Sequence, residues 1–192
     1  MKRIFVTGTG LLLFVTQFAY GQGSILFQNV GPGLTTQGQV RDMNGVLIPA
    51  GNAFTAELLA GTSASSLAPF ATPITTSVWA GNGWFGVGQP EKVLPGFAPG
   101  SLPFLSVRVW ENAGGTITSF AAAQAAGLQY GISPLAWQLP ASTGGLGNPT
   151  ASPPVPGPAL IGMGGGPYLV PEPSTITLVA SGLAVLLSRR RK

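Results

Sequence analysis

The sequence contains no cysteine and no histidine. Their absence excludes disulfide bonds, thiol nucleophiles, imidazole general bases and ordinary zinc sites. Charged residues are also scarce, at 7% of 192 residues, whereas there are 29 glycines and 18 prolines. This composition argues against a helical bundle and favours short strands joined by turns. We therefore expect a single β-rich domain, with no metal and no other cofactor.

The net charge of +4 is carried by the two ends of the chain. Residues 2–3 and 189–192 supply six of the nine Lys and Arg residues. Residues 22–170 contain three basic and four acidic residues, so this part is nearly neutral. Because a neutral surface cannot neutralise a phosphate backbone, we expect no nucleic-acid partner. The terminal charges instead suit membrane targeting.

The first 21 residues have the form of a secretory signal peptide. Lys2 and Arg3 precede an apolar stretch, and a small residue, Gly21, stands before the polar Gln22. The pattern predicts an N-terminal signal helix that is cleaved between Gly21 and Gln22. Because no Arg pair precedes the apolar stretch, we expect the general secretion machinery as the partner. An uncleaved anchor is the alternative.

Residues 170–192 fall into three parts: a Pro-rich motif (170–175), an apolar run (176–187) and a basic tail (188–192). Prolines disfavour helix entry, the apolar run predicts a single transmembrane helix, and the cations would remain cytoplasmic. At about 1.5 Å per residue the apolar run reaches only roughly 18 Å of a hydrocarbon core of about 30 Å, so we expect snorkelling and local thinning. A C-terminal core helix of a soluble protein is the alternative. The motif is Val170, Pro171, Glu172, Pro173, Ser174 and Thr175, and the basic stop is Arg189, Arg190, Arg191 and Lys192.

This order of motif, apolar run and basic tail resembles the PEP-CTERM sorting signal of Gram-negative bacteria. The resemblance implies that exosortase, a membrane-embedded transpeptidase-like protease, recognises Pro171, Glu172 and Pro173. It also implies transient anchoring in the inner membrane, processing near the motif and delivery to the cell surface, outer membrane or extracellular matrix. Many such bacteria make exopolysaccharide, which is a further expected partner. The resemblance does not imply any particular activity, because the bodies that precede this signal are diverse.

Residues 140–169 are predicted to form a Gly/Pro-rich stalk. More than half of residues 140–167 are Gly or Pro. Such a segment has few large side chains to offset its ordering entropy. As polyproline II, at about 3.1 Å per residue, it would reach roughly 85 Å. Residues 159–169 could instead add a last edge strand to the body.

Residues 22–139 are predicted to form an antiparallel β-sandwich, either jelly-roll or Ig-like. Short runs alternate with turn signals at 42–45 and 81–83, and an Ala-rich helix is expected at 119–126. The clearest strand is 104–111, where Leu105, Val107 and Val109 share one face. The segment 54–61 is similar to uncharacterised bodies that precede other PEP-CTERM signals. The remaining predicted strands are 24–29, 38–41, 53–60, 77–79 and 83–88.

The body has four carboxylates that a glycosidase could use in pairs: Asp42, Glu57, Glu91 and Glu111. Nothing in their spacing selects a pair, so we expect no catalytic residue. The sequence around Asp42 lacks the closing Glu of a calcium loop, so we expect a hairpin turn there rather than a metal site.

The aromatic residues suggest a second kind of site. Exposed indole rings stack on sugars, and Trp84 and Trp110, with the amide of Asn82, are the candidates. The alternative is that the Trp residues fill the core of a small sheet protein. By alternation Trp110 lies opposite Val107 and Val109, although both faces of a sandwich strand can be covered.

Taken together, these patterns predict an exported, non-enzymatic structural protein of the cell surface or extracellular matrix, sorted and processed by exosortase. The alternative is a carbohydrate-binding module for exopolysaccharide. A carboxylate-dependent glycosidase is the third hypothesis.

Overall fold

The computed structural model describes residues 22–30, 38–160, 163 and 166–170. The predicted signal peptide, the apolar run and the basic tail lie outside these residues. Within the described residues the structure is mainly β, and no helix there is both long and apolar enough to cross a membrane. The described elements are β1 (Gly23–Ile25), β2 (Ala50–Gly51), β3 (Phe54–Gly61), β4 (Ala68–Pro69), β5 (Thr75–Thr76), β6 (Trp79–Gly81), β7 (Trp84–Phe85), β8 (Lys92–Leu94), β9 (Phe104–Glu111), α1 (Phe120–Ala125), β10 (Tyr130–Ile132) and β11 (Trp137–Gln138), with 3-10 turns at Ala113–Gly115 and Ala141–Thr143.

The described strands form three antiparallel sheets. In the six-stranded sheet, β3 and β9 pair along their whole length, from Phe54 opposite Glu111 to Gly61 opposite Phe104. Strands β10 and β11 pair with the other side of β9, and β4 and β5 pair with β3. The two smaller sheets are β1-β8 and β2-β6-β7.

The alternation predicted for residues 104–111 is confirmed. Leu105, Val107 and Val109 are fully buried and share one core cluster with Ala56 and Leu58 of β3. The smaller sheets contribute to the same cluster, so one core joins all three sheets; their members are Ile25, Trp79, Phe85 and Leu94.

The opposite face of β9 is covered by α1 and the loop before it. Ser119 accepts a hydrogen bond from the Ala122 amide, as expected of the N-cap of the predicted helix. Phe120 packs edge-on against Trp110, with ring centroids 6.2 Å apart. Both faces of the strand are therefore covered.

Both predicted turns are confirmed. The Asp42 carboxylate accepts hydrogen bonds from the amides of Asn44 and Val46, each at 2.8 Å, and closes a hairpin rather than a metal loop. Asn82 takes a positive φ of 53° between β6 and β7.

Several predicted strands are shorter than expected or shifted. Residues 24–29 yield only β1, residues 77–79 overlap the observed β6 only at Trp79, and residues 83–88 yield only β7. Residues 38–41 contain no strand, although Arg41 forms isolated bridges. One reason for the shorter strands is the buried side chain of Asn29, which donates to two backbone carbonyls and accepts from the Phe85 amide. These backbone groups are therefore satisfied by a side chain and not by strand pairing.

The segment 140–169 differs from the predicted stalk. Leu146, Leu160 and Leu169 are buried in the common core, and the Leu160 amide donates to a carbonyl of the body at 3.1 Å. A Cβ at Gly157 would overlap the Ser24 carbonyl, so the missing side chain lets backbone pack directly on backbone. The alternative of a last strand is closer to the structure, because residues 168 and 170 form β-bridges.

Candidate functional site

The candidate site is the junction where the body meets the Pro-rich motif. The Val170 amide donates to the Tyr130 carbonyl at 2.8 Å, and the Tyr130 amide donates back at 3.1 Å. On the other side, the Leu169 amide donates to the Arg41 carbonyl at 2.9 Å, and the Arg41 amide donates to the Pro167 carbonyl at 3.1 Å. The chain is therefore held between two parts of the body up to the first residue of the motif.

Side chains alternate along this junction. Leu169 is fully buried, whereas Tyr168 and Val170 are 61% and 50% exposed. A period of two is typical of an extended chain at the edge of a sheet. Burial of Leu169 thus fixes the junction on the body and leaves its two neighbours facing outwards.

Most of the predicted sorting residues lie outside the described residues: Pro171 to Thr175, Arg189 to Lys192, and Gly21. Gln22 is the first described residue and is exposed, directly before β1. The roles predicted for these residues therefore stay predictions.

The four carboxylates make different contacts, and the structure separates Glu57 from Glu111. Glu57 is buried in the sheet and accepts a hydrogen bond from Arg108 Nε at 2.7 Å, while the guanidinium lies over the Phe120 ring, 5.0 Å from its centroid. Glu111 is an odd number of residues from Arg108 on the same strand, so it and Glu57 belong to opposite faces. A catalytic pair cannot be built from these two groups.

Glu91 has a structural contact that the sequence did not predict. It accepts a hydrogen bond from Ser24 Oγ at 2.6 Å and another from the Gly157 amide at 3.0 Å. This carboxylate therefore ties the Gly/Pro-rich segment to β1. No local signal could have indicated it, because the partners are 67 and 66 residues away. The described residues contain no group of three or more metal-binding side chains.

The three candidate sugar-binding residues lie in different environments. Trp110 is only 1% exposed and its Nε1 donates to the Ile117 carbonyl at 3.2 Å, so its indole face is covered. Trp84 is half-buried on β7. Asn82 is exposed at the adjoining turn, and its carbonyl accepts a hydrogen bond from Gln39 Nε2.

A small open pocket of about 210 Å³ lies beside the edge of Trp110. Within it Asn112 Nδ2 donates to Thr55 Oγ1, and Thr55 and Ser77 share a hydrogen bond of 3.1 Å. The pocket has no charged lining residue; it is lined by Thr55, Thr75, Ser77, Trp110, Asn112, Gly115, Ile117 and Thr118. Of these residues, the sequence analysis singled out only Trp110.

The described chain is a mainly β body whose ordered contacts reach the start of a C-terminal signal. Residues 169–192 match the family model of the PEP-CTERM protein-sorting motif. The resemblance predicted from the three-part C-terminus is confirmed, and the motif indicates an exported protein that crosses the membrane and is sorted by exosortase. No curated protein and no solved structure shows significant similarity to the chain.

Proposed function

We propose that this protein is a structural component of the cell surface or extracellular matrix of a Gram-negative bacterium. In this proposal a signal peptide exports it, the apolar run anchors it briefly in the inner membrane, and exosortase processes it near Pro171 to Pro173. Its body is a non-enzymatic β-sandwich, a proposal supported by the single core that joins the three sheets.

The observation that carries the proposal is the sorting-motif match at residues 169–192. The first two residues of this match, Leu169 and Val170, are hydrogen-bonded to Arg41 and Tyr130 of the body. The described body is therefore folded up to the start of the matched segment. A sorting signal attached directly to a folded body supports the proposal that exosortase sorts this body.

The location of the core supports the same proposal. Leu160, Met163 and Leu169, the last core residues of the described chain, all precede the Pro-rich motif at residues 170–175. Cleavage after Val170 would remove no described core side chain. A processed body would therefore keep the burial of these three side chains.

The use of the carboxylates supports a non-enzymatic role. Asp42 closes a hairpin, Glu57 pairs with Arg108, and Glu91 ties Gly157 to the body. Carboxylates engaged in this way serve the fold, whereas a glycosidase needs two that face one substrate.

The test is fractionation and intact-mass measurement of the protein from its native host. The wild-type protein is expected in the surface or matrix fraction, beginning near Gln22 and ending near the motif. A variant with Arg189, Arg190 and Arg191 changed to Ala is expected to keep its C-terminus, because the sorting signal has lost its basic stop. Lys92→Ala, which removes a cation from the body, serves as the control. Wild-type protein that retains residues 176–192 in the inner membrane would mean that the segment is only an anchor.

A second candidate function is binding of a neutral carbohydrate, favoured by the uncharged pocket lined with hydroxyl and amide groups. At about 210 Å³ the pocket suits no more than a single small sugar unit. We expect Thr118→Val to reduce retention on exopolysaccharide purified from the host, whereas Thr72→Val, outside this pocket, should not. Equal retention of both variants and the wild-type protein would exclude binding at this pocket.

A further inference from the structure

Three exposed apolar side chains lie close to the C-terminal end of the described residues. Ile132 is 49% exposed, Tyr168 is 61% exposed and Val170 is 50% exposed. We call these three residues the exit patch. Exposed apolar groups are common on protein surfaces when they are scattered, so their significance depends on their being neighbours.

The register of the junction places the three side chains on one face. Tyr130 pairs antiparallel with Val170, so two residues further along β10 Ile132 lies opposite Tyr168. Alternate residues of an extended chain point to the same side, and Leu169 between them points into the core. The exit patch is therefore one continuous feature of two neighbouring chain segments.

The chain beyond the patch is short. Only residues 171–175 separate Val170 from the apolar run that begins at Ile176. The six residue steps from Val170 to Ile176 span at most about 22 Å when fully extended. When the apolar run is in a membrane, the exit patch must therefore lie within roughly this distance of the point where the chain enters.

The charges next to the exit patch also favour contact with a membrane. Arg41 is bridged to Tyr168, and Arg108 is opposite Ile132 on β9. Glu57 neutralises Arg108. Among the described residues, Arg41 donates from Nη1 only to the Gly45 carbonyl, and the next residue, Asp42, closes its own hairpin. A tyrosine with an adjacent cation is a combination that favours the interface of an anionic membrane.

We propose that the exit patch docks on the membrane interface while residues 176–187 are inserted. The inference rests on the proposed function, because it requires the apolar run to enter the membrane. Docking would keep the motif at headgroup level, where a membrane-embedded protease can reach it. The body would thus present its own cleavage segment rather than swing freely above the bilayer.

The absence of cysteine allows a direct test on the full chain. Single variants Ile132→Cys and Tyr168→Cys are labelled with an environment-sensitive fluorophore and reconstituted in vesicles of phosphatidylethanolamine and phosphatidylglycerol that contain doxyl-labelled lipid. Val93→Cys and Val155→Cys, which are 42% and 53% exposed and lie outside the six-stranded sheet, are the matched controls. Vesicle association is measured separately by flotation.

The expected result is a blue shift and loss of fluorescence from lipid quenching at positions 132 and 168 but not at 93 and 155. If the protein floats with the vesicles while all four labels remain in water, the docking proposal is overturned and anchoring stands. If the protein does not float at all, both the anchoring step of the proposed function and the docking are refuted. If labels 132 and 168 are shielded equally without vesicles, another part of the chain covers the patch, and membrane docking is likewise overturned.

Discussion

Replacement of Leu160 by Ala tests whether the Gly/Pro-rich segment belongs to the folded body. Leu160 is fully buried in the common core, and its amide is hydrogen-bonded to the Gln28 carbonyl. Leu→Ala changes at buried sites cost about 3 kcal/mol, from lost burial together with the cavity that remains. Because a domain of this size has only about 5 to 15 kcal/mol of stability, the loss is a large fraction of the total.

The assay is urea unfolding of the full chain in a mild detergent, followed by fluorescence of the buried Trp79, Trp110 and Trp137. We expect a lower midpoint at unchanged slope, and a melting temperature lower by roughly 6 to 12 °C. Val155→Ala is the matched control, since it removes an apolar side chain from the same segment at a site that is 53% exposed. Its expected effect is within about 0.5 kcal/mol.

A Leu160→Ala variant as stable as the Val155→Ala control would refute the reasoning. Leu160 would then contribute nothing to the stability of the core, and the result would support the interpretation of residues 140–169 as a stalk. The comparison is informative because both changes are in a region that composition alone marks as a spacer.

Two further predictions concern single contacts, and each is measured by urea unfolding. Arg108→Ala leaves the Glu57 carboxylate buried without its partner and is expected to cost about 3 kcal/mol, most of which the added Glu57→Gln change should restore. An Arg108→Ala variant that loses no stability would contradict this account of the pair. Gly86 and Gly88 share a φ of +72°, but only at Gly86 would a Cβ overlap a neighbouring carbonyl. Gly88→Ala should therefore cost about 1 kcal/mol for its backbone alone and Gly86→Ala clearly more, so equal losses would mean that the close approach has no energetic effect.

Local pattern predicted the parts of the fold that depend on local chemistry. Strand 104–111 could be predicted because its apolar residues alternate with period two. The helix at 119–126 was recoverable from its Ser119 cap and its run of alanines, and the hairpin at 42–45 from the ability of Asp42 to bond to nearby amides. In each case the residues that determine the structure are within a few positions of one another.

The rest of the fold depends on contacts between distant residues. The composition of 140–169 suggested too little side-chain burial for an ordered segment, but its glycines allow the backbone itself to approach the body, as Gly157 does at Ser24. The Glu91 carboxylate stabilises this contact, because it accepts a hydrogen bond from the Gly157 amide. The same limit applies to Trp110, because only the packing of Phe120 and the loop before it removes the indole from solvent.

The two prolines of the motif link the fold to the sorting signal. Val170 completes the pairing of the junction with Tyr130 through its amide and carbonyl. Pro171 and Pro173 have no backbone N–H, so neither can donate to a neighbouring strand and continue the ladder. The residues that define the motif are thus poorly suited to being absorbed into the edge of the sheet. We infer that the missing N–H groups help to keep the motif accessible to a membrane enzyme.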